Sequence, residues 1–151
     1  MGLKLATLAY LKKDGYTLML HKAKGYQQGK WNGLGGKFLV GESPEDCLKR
    51  EVLEESGFIV EKARLHGFIT FPDFDGQDEW YTFIYTVSQF SGKLNASDEG
   101  ELHWVKDSDL FALNLYEGDR VFLPWLEKDE IFSAKFNYKG GDFKTYSVVF
   151  Y

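Results

Sequence analysis

The stretch Gly36-Lys37-Phe38-Leu39-Val40-Gly41-Glu42-Ser43-Pro44-Glu45-Asp46-Cys47-Leu48-Lys49-Arg50-Glu51-Val52-Leu53-Glu54-Glu55-Ser56-Gly57-Phe58 carries the most information in the chain. Its centre predicts a helix over Ser43–Ser56. Ser43 suits the N-cap, Pro44 the first helical position, and Asp46 stands three residues after Ser43 as in a capping box. Leu48, Val52 and Leu53 give an apolar side, and Gly57 is placed to end the helix. Glu51, Glu54 and Glu55 lie at i, i+3 and i+4, so they share one face. Like charges at that spacing repel, and a helix selected for stability alone would not cluster them. Three converging oxygens suit a hard divalent cation such as Mg²⁺. Taken alone, the triplet also fits a solvated acidic face. Arg50 can tie the preceding loop to the helix through a bidentate pair with Glu42.

Working outward, strands flank this helix. Leu3 to Leu11 alternates with strand periodicity, Lys13-Asp14-Gly15 is a turn signal, and Tyr16 to His21 resumes as a second strand. Lys22 to Gly36 reads as a loop, with glycines at 25, 29, 33, 35 and 36 that allow close backbone approach to a ligand. Phe58 to Phe71 reads as strands interrupted near Gly67, Glu79 to Phe90 as a long strand, and Leu102 to Val105 as a short one. Asp109 to Leu115 and Asp119 to Leu126 are expected as short helices. Ile131 to Tyr138 and Phe143 to Phe150 bracket a second hairpin turn at Lys139-Gly140-Gly141-Asp142. Many strands with few helices imply an α+β fold, a central mixed β-sheet sandwiched between helices.

Composition bounds the partners. The 151 residues suit one domain spanning 1–151, and 44% hydrophobic residues can fill a core. No apolar run approaches the roughly 20 residues that span a bilayer. The start, Met1-Gly2-Leu3-Lys4, reads as strand rather than signal peptide. A lone cysteine excludes an intramolecular disulfide and points to the reducing cytoplasm. A net charge of -5 argues against long nucleic acids, which need a basic footprint. An anionic ligand must therefore be met by local chemistry.

Gly36, Glu42, Arg50, Glu51, Val52, Glu54, Glu55, Gly57 and Phe58 match every fixed position of the Nudix box, Gly-x5-Glu-x7-Arg-Glu-U-x-Glu-Glu-x-Gly-U. The chain therefore resembles the Nudix hydrolases, which cleave nucleoside diphosphates linked to another moiety with Mg²⁺ or Mn²⁺. The resemblance implies a Nudix fold, with Glu51, Glu54 and Glu55 holding metal beside a carbonyl of the Gly35-Gly36 turn. It also implies a glutamate from a later loop, for which Ser97-Asp98-Glu99 offers Glu99. Glu54 or Glu99 would orient or deprotonate the attacking water, with Glu51 and Arg50 completing the catalytic set.

Gly29-Lys30-Trp31-Asn32-Gly33-Leu34-Gly35-Gly36-Lys37 is similar to the matching stretch of MutT-type oxidised-purine nucleoside triphosphatases. The similarity extends from Thr7 to the aromatic hairpin around Phe132, Phe136 and Tyr138. By position it implies that Asn32 and Asp119 read the purine edge and that Tyr116 stacks on the base. Tyr26, Leu34, Phe71, Phe122 and Tyr138 would line the pocket, Thr7 and Lys22 would approach base or sugar, and Lys37 the metal–phosphate region. The implied reaction converts 8-oxo-dGTP to 8-oxo-dGMP and pyrophosphate, cleansing the nucleotide pool, in a cytoplasmic monomer. One departure stands out. Gly118-Asp119 replaces two adjacent aspartates of the animal enzymes, and Tyr116 replaces a tryptophan.

Other features read as structural. Cys47 lies on the helix as a buried thiol, and His21, His66 and His103 show no metal-ligand spacing. Pro72 sits where ADP-ribose pyrophosphatases carry a proline. The rivals are therefore a Nudix hydrolase of ADP-ribose, a dinucleotide polyphosphate or an ordinary NTP, or a non-catalytic nucleotide sensor.

Overall fold

Alternate residues of the first strand go to opposite sides of the sheet. In the computed structural model, which describes residues 2–25 and 27–151, strand β1 (Leu3–Lys13) sends Ala9 and Leu11 one way and Tyr10 the other. Strand β2 (Tyr16–Lys22) divides Leu18 and Leu20 from Met19 in the same manner. Ala9, Leu11, Leu18 and Leu20 pack on Leu48 and Val52 of helix α1 (Pro44–Ser56). Tyr10 and Met19 pack with Phe122 of helix α2 (Glu117–Phe122) and with Leu123 and Leu126 of the 3₁₀ turn that follows it, Leu123–Glu127. Burial on both faces is what a sheet between helical layers requires.

The remaining strands are β3 (Trp31–Asn32), β4 (Phe58–Phe71), β5 (Glu79–Gly92), β6 (Gly100–Lys106), β7 (Phe132–Lys139) and β8 (Asp142–Phe150). The strand order is β3-β2-β1-β5-β4-β7-β8, with β6 also on β2. Strands β1 and β5 are parallel, as are β4 and β7, and the other pairs are antiparallel, so the sheet is mixed.

Strands β1 and β2 stay paired only at Lys12–Thr17 and Lys13–Tyr16. Beyond that point the glycine segment takes the vacated edge of β1, bridging Ala9 to Leu34 and Ala6 to Lys37. Gly35 is essential there, because a Cβ would fall 2.0 Å from the Thr7 carbonyl oxygen and φ is 148°. This insertion brings Gly35-Gly36 between the sheet and α1.

The helix boundaries follow from its caps. Ser43 Oγ accepts from the Asp46 N–H at 3.1 Å and Asp46 Oδ2 from the Ser43 N–H at 3.2 Å. Gly57 closes the other end at φ 83°, donating to the Leu53 carbonyl at 2.9 Å. Elsewhere the structure departs from expectation. Phe58–Phe71 is one strand, and the break expected near Gly67 is a bulge where β7 joins the far edge. The two short helices are recast: Asp107–Ala112 is 3₁₀, while the second begins at Glu117 and tightens to 3₁₀ at Leu123. Pro124, which has no N–H to donate, sits in that tightened turn. Among the described residues no helix is long and apolar enough to cross a membrane.

Candidate active site

Arg50 organises the acidic face of α1. Its Nε and Nη2 donate to Glu42 Oε2 and Oε1 at 2.7 and 3.0 Å, the bidentate pair expected from sequence. Its Nη1 donates to Glu51 at 2.9 Å and Glu54 at 3.2 Å, and Nη2 also donates to the Lys37 carbonyl at 2.9 Å. One guanidinium thus offsets the repulsion among the glutamates and pins the Gly36–Glu42 loop to the helix. The same hydrogen bonds hold the Glu42 carboxyl below the usual carboxylate range.

Glu55 behaves differently from its neighbours. It is only 5% exposed, and its Oε1 accepts from the Gly35 N–H at 2.7 Å. Burial, together with a hydrogen bond to Glu99, pushes its carboxyl well above the usual range. Accepting that bond is what chiefly holds Glu99 low, with the charges of Lys22 and Lys24 adding to it. The loop glutamate anticipated at 99 therefore meets the helix at Glu55. Burial also raises Glu51, against the pull of Arg50. Gly36 lies directly under this cluster, since a Cβ there would sit 2.6 Å from the Glu51 carboxyl.

Among the described residues no three carboxylates are already gathered as a metal cage. Arg50 holds Glu51 and Glu54, while Glu55 and Glu99 share a hydrogen bond that requires a proton. The donor set nevertheless fits a hard divalent cation. All its side-chain donors are carboxylate oxygens, and buried Glu55 lies against Glu99, a pair of carboxylates that must share either a proton or a cation.

A cleft of about 490 Å³ opens beside this cluster, on the α2 side of the sheet. Ala6 and Leu8 of β1, Trp80 and Thr82 of β5 and Phe71 of β4 form its floor. Asn32, Tyr116 and Asp119 stand at one end, and Lys22, Glu99, Gly35, Gly36 and Lys37 lead toward the glutamates. Asn32 Oδ1 accepts from the Gly33 N–H at 2.9 Å, which fixes its carboxamide and shapes the turn. Asp119 is 6% exposed, and burial pushes its carboxyl up to about 7 against the opposing charges of Lys30 and Arg120. Lys30 lies over the Tyr116 ring at 5.1 Å, and Lys37 over Trp80 at 5.9 Å.

Four expected positions need correction, and a fifth, Tyr26, lies outside the described residues. Leu34 is fully buried in the α1 core, because its backbone bridges to Ala9 and its side chain follows the parity of that face. Phe122 is fully buried behind the wall, 6.2 Å from the rings of both Tyr10 and Phe136. Tyr138 is buried behind Phe74, with its hydroxyl accepting from the Gly118 N–H at 2.9 Å. Thr7 borders the cleft, but its odd parity turns the hydroxyl to Cys47 Sγ on α1 at 3.4 Å. Cys47 is buried as expected.

Trp80, Phe74 and Asp75 also line the cleft and were not anticipated. Asp75 accepts from Trp80 Nε1 at 2.9 Å and from the Gln77 and Asp78 N–H groups, and so fixes the tryptophan. The available signal was parity: Trp80 and Thr82 precede core Ile84 in steps of two on one face of β5.

A box-bearing helix against a glycine turn, beside a nucleotide-sized cleft, agrees with the family comparison. The model of the NUDIX domain matches residues 2–126. The chain belongs to the Nudix family. This Nudix protein is 32% identical over 140 residues to the oxidized purine nucleoside triphosphate hydrolase of Danio rerio, covering 92% of this chain and 89% of that one. The Mus musculus protein of the same name is 31% identical with the same coverage. Among solved structures, the MutT protein from Bacillus halodurans superposes with a TM-score of 0.86 at 28% identity, over 96% of this chain and 97% of that one. The Nudix fold, with a mixed central sheet and few helices, is thus shared with a MutT structure.

Proposed function

We propose that this Nudix hydrolase converts an oxidised purine nucleoside triphosphate, with 8-oxo-dGTP as the type substrate, to the monophosphate and pyrophosphate. It would do so as a cytoplasmic monomer acting on free nucleotides, with the 151 residues as one unit. The observation that carries this reading is the cleft's polarity. Asn32 and Asp119 present a carboxamide and a buried carboxyl between the aromatic walls of Tyr116, Phe71 and Phe74. A purine is flat and apolar on its faces and needs a few aimed polar groups at its edge. The names of the fish and mouse relatives support the same substrate class.

Glu51, Glu54, Glu55, Glu99 and a Gly35 or Gly36 carbonyl would hold Mg²⁺, with Mn²⁺ as an alternative. The bound ion would neutralise the polyphosphate and polarise a phosphoryl oxygen. Lys22 and Lys37 line the cleft, Lys22 beside Glu99 and Lys37 with its carbonyl on Arg50, and there they would meet phosphate oxygens. The Glu54 side chain is 58% exposed and Glu99 is held in its ionised form, so either can orient an attacking water and accept its proton. Arg50 keeps Glu51 and Glu54 in register.

The test is pyrophosphate release from a nucleotide panel with Mg²⁺: 8-oxo-dGTP, 2-hydroxy-dATP, dGTP, ADP-ribose and a dinucleotide polyphosphate. The expected result is a kcat/KM for an oxidised purine at least tenfold above its normal counterpart, lost on changing both Asn32 and Asp119 to alanine, since buried edge contacts give discrimination of about this size or more. Preferential cleavage of ADP-ribose would reject the reading, and no turnover of any nucleotide would reject catalysis itself.

A further inference from the structure

We propose that the Tyr10 hydroxyl is the positioning group for Asp119, holding one carboxyl oxygen so that the other is aimed at the purine edge. The inference rests on the purine-triphosphate reading of the cleft. Tyr10 is fully buried on β1, on the same side of the sheet as the cleft floor. Its hydroxyl oxygen and Asp119 Oδ2 are both buried without a hydrogen-bond partner among the described residues. One of these atoms can donate and the other can accept. An unmade buried hydrogen bond is costly, so these two unpaired atoms, near enough for the Asp119 charge to act on the hydroxyl, would be joined through one ordered water or by a small movement of either side chain. Asp119 is also the charged group whose field acts on the Tyr10 hydroxyl.

The ring is placed for this role as well. It packs beneath the Asn32-Gly33 turn, where a Cβ on residue 33 would come within 3.0 Å of Tyr10 Cε1. It also lies 6.2 Å from the ring of Phe122 on α2, the helix that carries Asp119. One side chain therefore touches both elements that present edge-reading groups.

The other charged neighbours of Asp119 are committed elsewhere. Lys30 Nζ donates to Asn114 Oδ1 at 3.3 Å and the Leu115 carbonyl at 3.4 Å. Arg120 donates to the Phe111 and Leu113 carbonyls at 2.6 and 2.8 Å. Tyr138, on β7, feels both Asp119 and Glu117, and its oxygen accepts from the Gly118 N–H. These groups set the background field, and Tyr10 supplies the directed donor.

The variant is Tyr10→Phe, which keeps the ring and removes the hydroxyl. A ¹³C NMR titration of the Asp119 carboxyl, without nucleotide, should place its midpoint roughly one pH unit higher in the variant, the effect of one lost hydrogen bond to a carboxylate. On whichever triphosphate the wild type cleaves best, KM should rise about tenfold while kcat changes little, because the contact serves binding in ground and transition states alike. A second measurement needs no mutation at position 10. The wild-type Tyr10 Cζ resonance should follow the ionisation of Asp119 and become flat with pH in Asp119→Asn. An unmoved Asp119 midpoint in Tyr10→Phe, or a wild-type Tyr10 resonance blind to Asp119, overturns the proposal. The NMR arms contain no substrate, so a failure of the purine reading on the nucleotide panel remains separate from a failure here.

Discussion

Gly118 and Tyr138 occupy the space that a second edge-reading carboxylate would need. A Cβ at 118 would lie 2.6 Å from the Tyr138 hydroxyl and 2.8 Å from Phe136 Cδ2. Neither ring has room to yield: Phe136 is fully buried, and Tyr138 is enclosed by Phe71, Phe74 and Phe143. Gly118→Asp should therefore cost about 1–3 kcal/mol in denaturant unfolding, the usual penalty of overpacking. Tyr138→Phe in that background should recover part of the loss by vacating the hydroxyl's place. A pair of independent, additive changes would show that the two positions do not compete. If Asp119 is the one carboxyl that reads the purine edge, as proposed, its ionisation governs binding. Asp119 is raised to about 7, so it is neutral and a donor below that pH and an acceptor above it. If the purine accepts from it, KM should climb as pH rises through 7, and Asp119→Asn should abolish the climb. The sign for stability is the same. A folded pKa above the unfolded one of about 3.9 favours folding less and less as pH rises from 4 to 7, so Asp119→Asn should be relatively more stable at pH 8 than at pH 4.

The carboxylate helix is the element whose reading and structure agree most closely, and the reason is locality. Its caps, its apolar side and the Arg50–Glu42 pair all lie within a few turns of chain, so spacing alone specifies them. Ser43→Ala removes the Oγ acceptor, the side-chain half of the capping box, while the residue-43 N–H can still donate to Asp46, and it should cost about 1 kcal/mol, or roughly 2–4 °C in Tm for a chain of this size. Glu54→Gln should lower kcat by about 10²–10⁴-fold, as loss of a proton acceptor does, with the melting curve unchanged. Loss of folding instead would mark Glu54 as structural. The cleft was less legible, because its walls come from residues distant in sequence. Which aromatic lines it and which lies behind it depends on strand parity and on where α2 begins. Phe122 and Tyr138 are behind the wall, while Phe74 and Trp80 form it. Thr7 shows the same dependence: sequence similarity located it near the cleft, yet parity turns its hydroxyl to Cys47. Gly67, taken as a break, is a bulge that only the later strand β7 explains.

At the scale of the whole molecule, the net charge of -5 conceals an uneven distribution. Where the glycine turn enters the sheet, Glu51 and Glu54 gather on Arg50 and Glu55 meets Glu99, with Arg50, Lys22 and Lys24 providing only partial compensation. Burying Glu55 and partly burying Glu51 costs stability in the absence of a cation. The fold therefore carries local strain that a divalent ion can relieve, and binding to the native state alone adds RT ln(1 + [L]/Kd). At an ion concentration near 100 times Kd that is about 2.7 kcal/mol, which for about 150 residues corresponds to roughly 5–10 °C in Tm. Thermal unfolding in MgCl₂ should thus lie well above unfolding in NaCl of equal ionic strength. Glu51→Gln or Glu99→Gln should shrink the difference, while Glu101→Gln, on an exposed carboxylate of β6, should leave it intact. Equal melting temperatures in the two salts would mean that the acidic cluster is a solvated surface, and that the polyphosphate must be met by Lys22 and Lys37 alone.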